Sequence, residues 1–157
     1  MIINLNSKAI EDTLEIGFKI GSCLRGNELI LLLGDLGVGK TLITKGIARG
    51  LEISEKDIVS PTFTLQNTYY SSKINKDIHH FDLYRIGEST SGNGLISPEI
   101  DECLDEKIAI VEWAQYLHHS YYEISNLIKI DIEIPSSILT ERILKIETEL
   151  KAIATSL

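Results

Sequence analysis

The feature that most restricts what this chain can become is a junction. Residues 28–33 read ELILLL, residues 34–41 read GDLGVGKT, and TLITKGIARGL at 41–51 follows with amphipathic helical spacing. A short apolar run without polar alternation suits a strand covered on both faces, as in the interior of a parallel sheet. A strand running into a glycine-rich turn, with a helix running out of it, aims backbone N–H groups and a helix N-terminus at one point, which suits a phosphate. The pattern G-x-x-x-x-G-K-[ST] is met by Gly34, Gly39, Lys40 and Thr41. Glycine is required there because a Cβ would hold a phosphate away from the backbone; Lys40 would reach the β and γ phosphates, and Thr41 would offer a hydroxyl to Mg2+. The candidate nucleotide-binding segment is Asp35, Leu36, Gly37, Val38, Gly39, Lys40, Thr41 and Leu42. A structural turn that happens to contain a lysine is the bland alternative, and the flanking strand and helix weigh against it.

With 157 residues, 43% of them hydrophobic, the chain has enough material for one domain with a substantial core, so residues 1–157 are expected to form a single unit. The formal net charge of -8 gives the surface as a whole no long-range attraction for a nucleic-acid backbone, so any service to RNA is expected to run through a partner that holds it. Cys23 and Cys103 fall in segments that read as buried helix faces, without a C-x-x-C pattern, which suits free thiols in a reducing compartment. Apolar runs such as LILLL are far too short to span a bilayer, and the first residues lack a basic stretch followed by an apolar one. The expected location is cytoplasmic, with no membrane contact.

Strand and helix patterns alternate along the rest of the chain. Met1–Leu5 reads as a short strand; Ser7 is placed to cap a helix carrying Ile10, Leu14, Phe18, Gly21 and Leu24 at helical spacing; Gly50 stands where the motif helix should end. TLQNTYYSS and DIHHFDLY flank the turn KINK and predict a β-hairpin rather than a crossover. GESTSGNG at 87–94 reads as a flexible loop, followed by a short helix and by KIAIVEW at 107–113, a buried strand by composition. LIKIDIEI and RILKIETE alternate as two antiparallel strands before a frayed final helix. The sum is an α/β sandwich with a mixed sheet.

Binding a nucleotide is not hydrolysing it, which calls for a carboxylate near the metal and a group that orients water. Asp82, in HHFDLYR, lies near a strand end where it could enter a metal shell; an exposed strand-end aspartate is the alternative. Glu112 ends the apolar run IAIV, where a carboxylate is costly unless it points into a site or forms a salt bridge. In SPTFT, Thr62 and Thr64 are candidates for a loop that folds over the terminal phosphate, against a plain loop-to-strand entry. Trp113, beside Glu112, either senses the site or is a core residue blind to ligand.

GDLGVGKT, SPTFTL, HFDLYR and VEW, in this order and at these separations, resemble the TsaE (YjeE) family of P-loop ATPases, which act in making threonylcarbamoyladenosine in tRNA. The resemblance runs from about Leu5 to about Ile134. It implies an α/β, P-loop NTPase-like three-layer sandwich, with a mixed, mostly parallel central sheet and an antiparallel extension. It also implies ATP and Mg2+ as cofactors, and a weak ATPase that supports repeated turnover by the TsaD and TsaB proteins and meets tRNA indirectly through them. Position by position, it makes Lys40 a phosphate and catalytic residue, Thr41 and Asp82 metal residues, Glu112 the glutamate needed for hydrolysis and Thr62 the switch-like threonine, with Trp113 following as in relatives. Whether Glu112 orients water, contacts Mg2+ or signals to partners stays open. The chain departs from the pattern at Leu42, where many members carry a second threonine, and at Ala114 and Tyr116, where proline and a basic residue are common.

Two other enzyme classes fit less well. A small-molecule kinase needs a lid whose arginines clamp the transferring phosphate; Arg25, Arg49 and Arg142 are scattered here, and Arg85 is the arginine expected beside the site. A GTPase needs an N-K-x-D motif after a buried strand, whereas NKDI at 75–78 lacks the final aspartate and falls at the hairpin. A nucleotide-dependent switch without turnover is the third reading, which turnover assays separate from slow catalysis.

Overall fold

A computed structural model describes residues 1–87, 97–104, 106–135 and 140–157. Among the described residues seven strands form one sheet: β1 (Ile2–Ser7), β2 (Leu29–Leu33), β3 (Gln66–Ser71), β4 (Lys76–Asp82), β5 (Ile108–Glu112), β6 (Leu127–Glu133) and β7 (Arg142–Thr148). Their spatial order is β1-β7-β6-β2-β5-β4-β3. The middle four, β6, β2, β5 and β4, run parallel, while β7 and β1 extend one side antiparallel and β3 closes the other as a hairpin with β4.

The apolar runs occupy the centre, as strands covered on both faces must. From β2, Ile30 and Leu32 enter one core, while Leu29 and Leu31 enter the core on the opposite face. The first face carries α1 (Ile10–Cys23), α2 (Lys40–Gly50) and α5 (Lys151–Ser156). The second is covered by α3 (Tyr84–Gly87), α4 (Ser97–Asp101) and two 3-10 helices, Ala114–Tyr116 and His119–Glu123. The three-layer α/β sandwich is thereby observed, with a mixed sheet parallel in the middle.

Several local expectations are corrected. Ser7 ends β1 rather than capping α1, whose N-cap is Ala9; the Ser7 hydroxyl hydrogen-bonds with Thr13 Oγ1 at 2.7 Å and with the Ala9 carbonyl at 2.8 Å. Ile10 is 56% exposed and Phe18 lies at the surface, because α1 buries a stripe of small residues, including Gly17 and Gly21, against α2. A Cβ on Gly17 would stand 2.6 Å from the Ile43 carbonyl oxygen, and one on Gly21 would overlap the Ile47 carbonyl. Gly46 and Gly50 reciprocate from α2, where a Cβ would strike the Leu14 and Phe18 carbonyls. α2 does end on Gly50 as expected, but Gly50 serves there as a packing residue, and the positive φ after the helix falls on Glu52, at 60°. The last helix is anchored rather than frayed, with Ile153 buried in the first core. Most of the GESTSGNG segment lies outside the described residues.

The sheet's parallel middle positions the site. Parallel strands all end at one edge, and the loops beyond that edge form a natural crevice. Register pairs Leu32 with Glu112 and Glu112 with Asp82, so the P-loop strand and both candidate carboxylates end level with one another.

Candidate functional site

Strand alternation sets which side chains meet. On β4, Ile78, His80 and Asp82 share a face, as Ile108, Ile110 and Glu112 do on β5; Ile78, Ile108 and Ile110 belong to the core beneath α1 and α2. Period two therefore sends His80, Asp82 and Glu112 toward the N-terminus of α2, where Lys40 and Thr41 begin the helix. The loop before that helix bends back through left-handed glycines, Gly34 at φ 130°, Gly37 at φ 78° and Gly39 at φ 114°. At Gly34 the demand is also for space, because a Cβ there would collide with the Ile132 carbonyl.

Lys40 is 5% exposed, and its ammonium donates to the carbonyls of Gly34 at 2.7 Å and Asp35 at 2.8 Å. The same nitrogen stands 3.7 Å from the centre of the Trp113 ring, a cation–π contact. Burial pulls the Lys40 ammonium below its ordinary pKa, opposed by the negative charges of Glu112, Asp82 and Asp35. Trp113 reaches this position from a left-handed backbone, φ 59° and ψ 41°, an unusual conformation for a bulky residue. Its ring packs between Tyr84, centroids 4.9 Å apart, and Tyr116, 6.3 Å apart. Tyr116 thus fills the corner where the resemblance leads one to expect a basic side chain.

Thr41 Oγ1 donates to Glu112, 2.9 Å from Oε1 and 3.1 Å from Oε2. Glu112 is 3% exposed, and its Oε1 is also 2.8 Å from His80 Nε2. Asp82, at 2% exposed, is no surface aspartate: Oδ2 accepts from Ser60 Oγ at 2.9 Å and Thr62 Oγ1 at 2.6 Å, and Oδ1 accepts from the Tyr84 N–H at 2.9 Å. The SPTF loop is therefore fastened to β4 through Asp82. These groups line a cleft of about 360 Å3, with Leu36, Gly37 and Leu42 at its P-loop side.

Sequence reasoning is met unevenly here. Lys40, Thr41, Thr62, Asp82, Glu112 and Trp113 converge on the cleft. Asp35 is exposed on the loop, with its carbonyl rather than its carboxylate holding Lys40, and Val38 turns into the core. Thr64 turns away, its hydroxyl donating to Asn67 Oδ1 at 3.1 Å. Arg85 donates to the Phe63 carbonyl at 3.4 Å, tying the far end of the SPTF loop. Arg142, one of the arginines scattered along the sequence, also lies beside the P-loop, with Nε 3.4 Å from where a Gly39 Cβ would stand, because β7 brings its first residue past the loop. Two polar residues were missed, Ser60 and His80. His80 was discoverable: Ile78-His80-Asp82 and Ile108-Ile110-Glu112 put the imidazole on the carboxylates' face once both strands are taken as neighbours.

The sequence profile of the family described as "Threonylcarbamoyl adenosine biosynthesis protein TsaE" matches residues 7–143. Among curated relatives, the tRNA threonylcarbamoyladenosine biosynthesis protein TsaE of Nostoc sp. is 49% identical over 76 residues, 48% of this chain and 45% of that protein. The TsaE of Rickettsia felis is 33% identical over 69% of this chain and 61% of its own length, and that of Aquifex aeolicus 38% identical over 67% and 71%. The chain thus spans less than two thirds of the Nostoc and Rickettsia felis relatives it matches. In fold, the crystal structure of YdiB from Bacillus subtilis superposes with a TM-score of 0.70 at 23% identity, covering 99% of this chain and 91% of that one. The motif order, the cleft at the carboxyl edge of the sheet and the profile match over residues 7–143 lead to one assignment: this chain belongs to the TsaE family of threonylcarbamoyladenosine biosynthesis proteins.

Proposed function

We propose that this protein binds and hydrolyses ATP with Mg2+ in the cleft, and that hydrolysis supports repeated rounds of tRNA threonylcarbamoyladenosine formation by TsaD and TsaB. The observation that carries the reading is the convergence of Lys40, Thr41, Asp82 and Glu112 from three different chain segments at the N-terminus of α2. Nothing in a core demands two buried carboxylates there; a site for a metal and phosphates does. The residues suit the cofactors. Gly37 has nothing among the described residues within 4 Å of where a Cβ would be, leaving the loop backbone open, and a hydroxyl with carboxylates beside it is the hard-oxygen set that Mg2+ prefers.

Thr41 and Asp82 are the residues that would hold Mg2+, which when bound would supply charge neutralisation at the phosphate oxygens, and the Glu112 carboxylate beside them is assigned to water rather than to the metal. Lys40 is pre-placed by the Gly34 and Asp35 carbonyls and can exchange them for phosphate oxygens within the same loop. Ser60 and Thr62 hold Asp82 in one orientation. Glu112, buried and accepting from Thr41 and His80, is positioned to orient a water and accept its proton. Trp113 shields the Lys40 side chain from solvent.

The reading is tested by a multiple-turnover modification assay with TsaD, TsaB, tRNA, threonylcarbamoyl-adenylate and ATP. Modification beyond one round per complex when this protein is added, and not when Glu112→Ala replaces it, is expected. Equal product yield with and without the protein would sink the proposal.

A further inference from the structure

His80 is the one polar side chain of the site with no accessible surface at all. It lies one pleat below Asp82 on β4, opposite Ile110 of β5, and reaches Glu112 Oε1 with Nε2 at 2.8 Å. Its other ring nitrogen, Nδ1, is buried with no hydrogen-bond partner among the described residues. A hydrogen on Nδ1 would leave that N–H unsatisfied and set the Nε2 lone pair against the carboxylate's, whereas a hydrogen on Nε2 makes one good bond. The imidazole is therefore committed to a single task, donating to Glu112 Oε1.

Glu112 has two donors of different kinds. Thr41 stands at the cleft, where on the ATP and Mg2+ reading above its oxygen lone pairs would also serve the metal, so the direction of its O–H bond to Glu112 is tied to that ligand. The His80 bond faces the core and has no such competitor. We propose that His80 is the positioning residue of the hydrolytic site: it anchors Glu112 through Oε1 from the core side, so that the carboxylate keeps its orientation toward the cleft whatever the Thr41 hydroxyl binds. Loss of an outer partner that holds a site group typically costs about 10–100-fold in metal affinity or activity; because Glu112 is assigned to water rather than to phosphate, the loss here is expected in rate.

The inference rests on the ATPase reading, and the test separates the two. ATPase rate with TsaD and TsaB, and ATP affinity by calorimetry, are measured for the parental protein, His80→Met, His80→Gln, Glu112→Ala and the His80→Met/Glu112→Ala double variant. His80→Met is expected to keep ATP affinity within about threefold while kcat falls about 10–100-fold. His80→Gln, whose amide N–H can reach as far as Nε2, is expected to recover most of the rate. Adding His80→Met to Glu112→Ala is expected to cost nothing more, because the group it positions is gone. A parental rate in His80→Met, a loss that appears in KM alone, or an equal loss in the Glu112→Ala background overturns the proposal while the ATPase reading stands. A parental protein that does not hydrolyse ATP with its partners overturns both. Should His80→Met fail to fold, 15N NMR of the parental ring decides: a proton on Nε2 whose shift responds to Glu112→Gln supports the assignment, and a proton on Nδ1 defeats it.

Discussion

Lys40 carries the strongest single-residue expectation. Its ammonium is held by two loop carbonyls and an aromatic face, none of which needs it for the core. Lys40→Ala should leave the melting temperature within a few degrees while ATP affinity falls about 10–100-fold, the equivalent of roughly 1.5–3 kcal/mol for a charge-assisted hydrogen bond; calorimetry that finds parental affinity in a folded variant would refute the P-loop assignment. Glu112 and Asp82 should separate. Glu112→Ala is expected to bind ATP normally and to lose about 10²–10⁴ in turnover, as for a group that moves a proton. Asp82→Ala removes the acceptor of Ser60, Thr62 and the Tyr84 N–H together, so it should weaken Mg2+-dependent binding and loosen the SPTF loop, visible as faster proteolysis near Phe63. Trp113 makes the site observable. Because its ring covers the Lys40 ammonium, ATP that draws the lysine to phosphate should change its emission, and a flat titration at saturating ATP would detach the ring from binding.

At the scale of elements, the α1–α2 seam is the sensitive joint, because two helices touch backbone to backbone through four glycines. Gly17→Leu must push α1 away from the Ile43 carbonyl, and small-to-large changes in tight packing cost about 1–3 kcal/mol. A fall in melting temperature of about 3–10 °C is expected, with ATP affinity weakened as well because α2 carries Lys40 and Thr41. A Gly17→Leu protein that melts like the parent would show that the seam relaxes freely. Cys103 gives a pH signature at the same scale. Burial pushes its thiol up to about 11, and the Glu99 carbonyl accepts from Sγ at 3.2 Å. A thiol whose folded pKa is raised contributes stability that is complete below its ordinary value of 9.0 and is lost as pH climbs toward about 11. Stability measured by denaturant should therefore fall over that alkaline window less steeply in Cys103→Ala than in the parental protein.

For the whole molecule, charge and company decide behaviour. A net charge of -8 supplies little counterion release, so the isolated protein should bind tRNA weakly at physiological salt, and tight binding in a filter assay would argue for a direct RNA role. Among the described residues no helix is long and apolar enough to cross a membrane. Leu36 at the P-loop tip and Phe63 at the SPTF tip are 76% and 86% exposed on either side of the cleft. On the proposed reading this apolar rim meets TsaD and TsaB, and their addition should raise the ATPase rate.

Sequence alone pointed to the central strands, the hairpin, the motif helix and six of the residues that meet in the cleft, because each has a local cause. Short unbroken apolar runs suit covered strands, glycines at Gly34 and Gly39 permit the left-handed turn that side chains resist, and a carboxylate after IAIV needs a site or an ion pair. The tertiary structure decided what depends on which strands become neighbours. That β4 lies beside β5 is set by packing across the chain, and it alone brings the His80 side chain to Glu112 and sets Asp82 level with Glu112. That β7 passes the P-loop turns Arg142 from a distant residue into a neighbour of Gly39. The glycines of α1 and α2 look like helix weak points or stops in one dimension. Only two helices in contact show them to be the places where one backbone must touch another, since a close approach is a relation between segments that local spacing does not encode.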